Sequence, residues 1–279
     1  MYKYLILGAS GFVGKHFIKL LKKKRQSFFQ VGKKHGNLIS TQTWSKLPKS
    51  KVVINLASKV FVPNSWSASN DFVSNNISIT LNMMEYAKRN KSNVVQMSSY
   101  LYGNSKKIPT NENADIFLNN PYALSKYLSE NICKFYYDNY KIKCNILRTF
   151  NLYGKNQNIN FLIPSILEQI NNKNIKVNDS RPKRDLLHID DFINLLFKAA
   201  NKFKNYQIYN VGYGKSFAIK DIINKIEVIK NKKFSLIVNK KKRKNEIFNT
   251  VADVKKVNKV FKWRAKIDLE NGLRKILDQ

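Results

Sequence analysis

The sequence predicts an α/β fold in which a doubly wound parallel sheet is joined to a smaller C-terminal α/β domain. Three observations carry that prediction. A short apolar stretch, residues 2–7, runs into Gly8-Ala9-Ser10-Gly11-Phe12-Val13-Gly14 and then into an amphipathic stretch, residues 15–24, which reads as strand, tight turn and helix. Further apolar stretches at 51–58 and 93–99 are separated by helical-looking segments, and strand alternating with helix implies parallel pairing. Finally, the glycine turn, Ala57-Ser58 and Ser98-Ser99 all fall at the carboxyl ends of strands, where open α/β sheets bind their ligands.

Each element in turn has a physical reason. Glycines at the first turn allow unusual backbone angles and close approach of a pyrophosphate, which the amides and dipole of the following helix N-terminus would hold. The second strand ends in Phe28-Phe29-Gln30-Val31-Gly32-Lys33-Lys34. Dinucleotide-binding turns that use NAD place a carboxylate near that point for the ribose 2′-hydroxyl. Lys33 and Lys34 stand there instead, and two ammonium groups suit the 2′-phosphate of NADP, so NADP(H) is the expected cofactor, with NAD(H) as the alternative. Long helices are expected over 74–90 and 122–139. On the second, Tyr122 and Lys126 are i and i+4, about 5–6 Å apart at Cβ, so the ammonium reaches the phenol and favours its ionised form. A free tyrosine, titrating near pH ~10, is a poor acid or base at neutral pH without such help.

Composition bounds the rest. A chain of 279 residues with 43% hydrophobic residues can build a substantial core. No signal pattern and no long apolar run is expected from the sequence, which points to a soluble, cytoplasmic protein without membrane insertion. Cys133, on a predicted helix, and Cys144, on a predicted strand, have neither metal nor redox spacing. His16 and His35 have no ligand-like partners, so no metal is expected. The net charge of +33 would by itself suggest nucleic acid. The lysines, however, are spread over the whole chain beside many asparagines and isoleucines, and no nucleic-acid-binding motif is present, so no nucleic-acid partner is expected.

The chain resembles the extended short-chain dehydrogenase/reductases, the NAD(P)-dependent epimerases, dehydratases and reductases that modify nucleotide sugars. The carriers are GASGFVG (8–14), NLAS (55–58), Asn76 with the Thr-Leu-Asn that follows, MSSYLYG (97–103), YALSK (122–126), LRTFNLYG (147–154), KRDLLHIDD (183–191), YNVGYGKS (209–216) and RKNEIFNTVADVKK (243–256). The resemblance implies a Rossmann-like domain over 1–155 plus about 187–212, and a nucleotide-sugar-binding domain over about 156–186 and 213–279. It implies catalysis by Ser98, Tyr122 and Lys126, with Ser98 chosen because it lies four residues before the tyrosine of the Tyr-Gly pair. The cofactor would lie on Gly8, Ser10, Gly11, Phe12, Val13, Gly14, Leu56, Ala57, Ser58, Asn76, Tyr122 and Lys126 as well as Lys33 and Lys34. Ser99, Asn151, Arg184 and Arg243 would face the sugar nucleotide. His188 is either a second proton donor or a packing histidine. The helix pair 74–90 and 122–139 would form a homodimer interface.

Departures from the family pattern narrow the expected reaction. Dehydratases carry an Asp-Glu pair after the catalytic hydroxyl, whereas Ser99 and Tyr100 follow Ser98 here. What remains is hydride transfer with one proton relay. The expected reaction is NADPH-dependent reduction of a 4-keto deoxyhexose bound to a nucleoside diphosphate, within surface-polysaccharide sugar synthesis. The alternatives are a 4-epimerase holding NAD tightly and a catalytically silent dinucleotide-binding regulator.

Overall fold

The computed structural model describes residues 1–239 and 245–278. Its elements in chain order are β1 (Tyr2–Leu7), α1 (Phe12–Lys23), β2 (Phe28–Val31), α2 (Thr41–Ser45), β3 (Ser50–Asn55), α3 (Val62–Ser67), α4 (Ser69–Asn90), β4 (Asn93–Ser99), α5 (Pro121–Tyr140) and β5 (Cys144–Thr149). Then come β6 (Asn151–Tyr153), α6 (Leu162–Leu167), β7 (Asn174–Val177), β8 (Lys183–His188), α7 (Ile189–Ala199), β9 (Tyr206–Val211), β10 (Ser216–Ala218), α8 (Ile219–Lys230), β11 (Ser235–Val238), α9 (Lys255–Phe261) and α10 (Leu269–Leu277).

The chain divides into two units: residues 1–103, 115–149 and 193–210, and residues 104–114, 150–192 and 211–279. Residues 104–114, 150–155, 187–192 and 211–212, expected in the first domain, group with the second unit. Local pairing explains the first two. Thr110 bridges Ala252, and β6 leaves the large sheet to pair with β8.

In the first unit a six-stranded sheet has the order β2-β1-β3-β4-β5-β9. Every strand pair whose register is known within it is parallel, with Tyr4 opposite both Phe28 and Val52 and with Ser98 opposite Arg148. Tyr4, Leu5, Ile6 and Leu7 are fully buried, as a central strand covered on both faces requires. The order reverses between β1 and β3, and that switch point is where such sheets open a crevice. One core cluster joins Leu5, Leu7, Val53, Met83, Met84, Val94, Cys133, Cys144 and Ile146, so both cysteines are buried core residues. Helices α4 and α5 are tied by buried polar contacts as well as apolar ones. Asn76 donates to the Ser125 hydroxyl at 2.8 Å, and the Thr80 and Ser129 hydroxyls meet at 3.0 Å.

α5 begins where the sequence says it should. Asn120 accepts from the Ala123 amide at 2.8 Å and Pro121 occupies the first turn, an N-cap followed by the residue that needs no N–H there. α4 starts at Ser69, ahead of the expected 74. β3 stops at Asn55 because the Asn55 side chain accepts from the Ala57 amide at 3.1 Å, turning the chain out of the sheet.

The second unit holds the sheet β10-β8-β6 and the parallel pair β11-β7. Its core includes Tyr153, Ile163, Ile166, Ile175, Ile222, Ile226 and Leu273. A Cβ on Gly272 would come within 2.0 Å of the Tyr153 hydroxyl, so only glycine lets α10 lie this close. Among the described residues no helix is long and apolar enough to cross a membrane.

Candidate active site

The site in the first unit starts at the glycine turn. Gly8 has φ +75°, and a Cβ on it would sit 2.6 Å from the Ala57 amide nitrogen. A Cβ on Gly14 would sit 2.3 Å from the Gly8 carbonyl oxygen. Both positions therefore demand glycine: one for its backbone angle, the other because α1 packs directly on the turn. Gly11 is different, since a Cβ there would meet only the Gly8 oxygen at 3.3 Å and otherwise open space. The first turn of α1 carries no acidic side chain, and Gly11 caps it without a side-chain bond, leaving backbone amides and the positive end of the helix dipole toward that space. This cradle suits a pyrophosphate.

Beside it lies an open cavity of about 650 Å³, lined by residues that include Ala9, Ser10, Lys15, Gly32, Lys34 and His35. Its lining contains Lys15 and Lys34 and, among the described residues, no carboxylate. His35 accepts from the Gly32 amide at 3.0 Å and lies edge-on to Phe29, so it shapes the cavity wall. Lys33 falls in a short 3-10 turn, Lys33–His35, and its side chain lies outside the described residues.

On the other side of the switch point, Leu56 donates its amide to Leu7, and Ser58 donates to Asn76 at 3.2 Å. Asn76 also accepts from the Lys59 amide at 3.1 Å, fixing the loop after β3 against α4. The expected residues Gly8 to Gly14, Leu56, Ala57, Ser58 and Asn76 thus occupy one connected stretch of structure.

Helix α5 supplies the reacting groups. Tyr122, Lys126 and Glu130 follow one another at i, i+4 and i+8, on one helical face. Ser99 lies beside Tyr122, its hydroxyl acting to lower the phenol's pKa. Lys126 donates to the Met97 carbonyl at 3.0 Å, with its ammonium 5.6 Å from the centre of the Tyr122 ring. Ser98 donates to Glu130 at 2.6 Å. The two expected serines thus face different neighbours. Neighbours on a strand point to opposite sides. Ser98, only 1% exposed, faces the buried carboxylate, and Ser99, expected on the sugar nucleotide, is the hydroxyl at the phenol.

Glu130 and Arg148 were not foreseen. Arg148 grips the Glu130 carboxylate through Nε at 3.0 Å and its second guanidinium nitrogen at 2.7 Å, and also donates to Tyr102 at 2.9 Å. Tyr102 in turn donates to Asn210 at 2.6 Å. Two signals could have found the pair: a carboxylate one turn beyond Lys126, and a lone arginine inside the apolar strand Cys144–Thr149, which cannot be buried unpaired.

Electrostatics follow from burial. Burial raises the Tyr122 phenol pKa, the Ser99 hydroxyl opposes that rise, and the nearby Tyr100 adds to it. The group is therefore a protonated acid at neutral pH. Burial lowers the Lys126 pKa to about 8, with Glu130 resisting the fall.

The residues expected to hold the sugar nucleotide's diphosphate are in the second unit. Asn151 donates to the Asp185 carbonyl at 3.3 Å. Arg184 pairs with Glu246 and donates to the Ile247 carbonyl at 2.6 Å, so its guanidinium is already engaged within that unit. Arg243 lies outside the described residues. His188 is 3% exposed, accepts from the Asp190 amide at 3.2 Å and stacks edge-on against Tyr153, which is the packing role.

A glycine cradle at a topological switch point, with a half-buried Tyr122 and a buried Lys126 one helical turn apart, defines a nicotinamide-dinucleotide-dependent enzyme. The chain belongs to the NAD dependent epimerase/dehydratase family, whose model matches residues 4–212. It is 28% identical over 274 residues to the UDP-glucuronate 4-epimerase of Thermodesulfobacterium geofontis, covering 93% of this chain and 81% of that one. It is 26% identical over 234 residues to the GDP-6-deoxy-D-talose 4-dehydrogenase of Aggregatibacter actinomycetemcomitans, covering 79% and 77%. The crystal structure of the Bacillus cereus UDP-glucuronic acid 4-epimerase in complex with UDP-glucuronic acid and NAD superposes with a TM-score of 0.87 at 25% identity, covering 99% of this chain and 98% of that one.

Proposed function

We propose that the protein is an NADPH-dependent ketoreductase acting at C4 of a deoxyhexose carried on a nucleoside diphosphate. The observation that carries this reading is the cavity beyond β2, which is lined by Lys15 and Lys34 and holds no carboxylate. An NADP preference favours reduction, because a reductase exchanges its cofactor at every turnover while an epimerase returns its hydride. The bound nicotinamide would supply the hydride at the keto carbon. Tyr122 delivers the proton to the carbonyl oxygen, and Ser99, beside the phenol, orients that oxygen. Lys126 holds positive charge beside the phenol and so stabilises the tyrosinate left behind. Tyr100 occupies a position where a dehydratase needs a carboxylate, which argues against elimination. Asn151, Arg184 and Arg243 are assigned to the sugar's diphosphate by resemblance, and the need for NADPH assigns the protein to the cytoplasm. The α4–α5 pair, with Leu81, Leu124 and Phe135 exposed, is assigned to a homodimer interface.

A second reading, an NDP-hexose 4-epimerase with retained NAD, is favoured by relatives such as the UDP-glucuronate 4-epimerase. Acid release of any retained dinucleotide, followed by NADPH or NADH oxidation with a panel of 4-keto nucleotide sugars, separates the two. The reductase oxidises NADPH in preference to NADH and retains no cofactor. Retained NAD without net oxidation makes it an epimerase. Tyr122→Phe should lower kcat by roughly 10²- to 10⁴-fold while leaving dinucleotide binding intact.

A further inference from the structure

Three consecutive residues of β4 are each engaged by one face of α5. The Met97 carbonyl accepts from Lys126, the Ser98 hydroxyl donates to Glu130, and Ser99 lies beside Tyr122. Two of these contacts belong to the reacting groups, and the third ends on a carboxylate that touches no reacting atom. That carboxylate is 2% exposed and is held from the far side by Arg148 of β5, which lies directly opposite Ser98 in the sheet. The Tyr206 hydroxyl donates to the Glu130 backbone carbonyl at 3.2 Å, closing the end of the turn. A buried ion pair is a poor source of stability, because well-packed apolar residues commonly serve as well. Its geometry here does something apolar residues could not do: it places a negative charge one helical turn from the buried ammonium of Lys126 and fixes the strand register that sets Ser99 against the phenol.

We propose that Glu130, clamped by Arg148, is a positioning residue that keeps Lys126 charged and β4 in register with α5. The inference rests on Tyr122 and Lys126 being the reacting pair. Among the described residues, the titratable groups of this cluster are Tyr122 and Glu130 on the same helix, Tyr100 beside Tyr122, Arg148 on β5 against Glu130, Tyr102 against Arg148 and Tyr206 on the Glu130 carbonyl. α4 contributes the neutral Asn76 and Thr80 to its contacts with α5. Glu130 is the sole carboxylate in that set. Removing it leaves the ammonium with desolvation unopposed, so Lys126 loses its proton at a lower pH.

The test needs no sugar. Protein labelled with ¹³C at the lysine ε-carbons is titrated by NMR, with the Lys126 signal identified by its loss in Lys126→Met. Glu130→Gln alone strands a buried guanidinium and risks misfolding. The informative variant is therefore Glu130→Gln with Arg148→Met, with Glu130→Asp as the conservative rescue. The wild-type midpoint, lowered by burial to about 8, should fall by a unit or more in the folded double variant and return toward wild type in Glu130→Asp. Such a shift cuts the charged fraction at pH ~8 by roughly fivefold, and kcat with any active sugar should fall in parallel. A folded double variant with the wild-type midpoint overturns the proposal. A shifted midpoint in a protein that turns over no keto sugar supports it, and places the failure in the sugar assignment instead.

Discussion

Asp185 shows how one side chain can organise a unit. Fully buried, it accepts from the amides of Tyr213 at 2.6 Å, Gly214 at 2.9 Å and Ala252 at 3.0 Å, drawing two loops onto β8. A Cβ on Gly212 would lie 2.7 Å from one of its oxygens, so the neighbouring glycine is part of the same device. Burial pushes the carboxyl up to about 6, and the three amides hold it from rising further. An unfolded aspartate titrates near ~3.9. Between those values the folded chain keeps a proton that the unfolded chain has lost, so stability should fall as pH rises from about 4 to about 6, by on the order of 3 kcal/mol. Urea midpoints across that window for wild type and Asp185→Asn test this. A difference between the two proteins that stays constant from pH ~4 to ~6.5 would rule it out. The same scale shows what the sequence leaves open about the two serines. Counting back from Tyr102 selects Ser98, whereas strand alternation and a buried Glu130 decide which hydroxyl meets the phenol, and the partner of a buried group is invisible until the strand is paired.

At the scale of elements, helix ends show a pattern of left-handed lysines. α4 closes on Lys91 with φ 54°, and α5 closes on Lys141 with φ 57°. A non-glycine residue in that conformation carries a strain of roughly 1 kcal/mol, and glycine is the usual occupant. Lys91→Gly and Lys141→Gly should therefore each raise Tm by a few degrees, with the site unchanged, since both lie at the helix ends remote from Tyr122. Unchanged or lowered melting points would show that the lysine side chains offset the strain through carbonyl contacts, such as Lys141 with Asp138 at 2.8 Å. β1, the glycine turn and the helix bearing Tyr122 were legible because each has a local cause: an apolar strand pattern, glycine chemistry, and an Asn-Pro cap. The second unit was legible only in outline. Its strands are three to six residues long and depend on pairings such as β6 with β8, which no local pattern announces.

For the molecule as a whole, a charge of +33 on 279 residues is a persistent self-repulsion. Added salt screens it, so Tm should rise from low ionic strength to about 1 M KCl, where the Debye length is about 3 Å. The same screening weakens steering of a doubly charged nucleotide sugar, so kcat/KM should fall over that range. The two observables moving in opposite directions is the expected signature. A melting point indifferent to salt would mean that the charges are already balanced locally, as they are at the Lys59–Asp71 and Lys134–Asp138 pairs.

The placement of the two thiols has a practical corollary for spectroscopy. With Cys133 and Cys144 both sealed inside the β4–β5–α5 core, the native surface offers no competing sulfhydryl among the described residues. A cysteine introduced at an exposed position such as Ser69 becomes a single selective attachment point for a fluorophore or spin label, without first replacing the native pair.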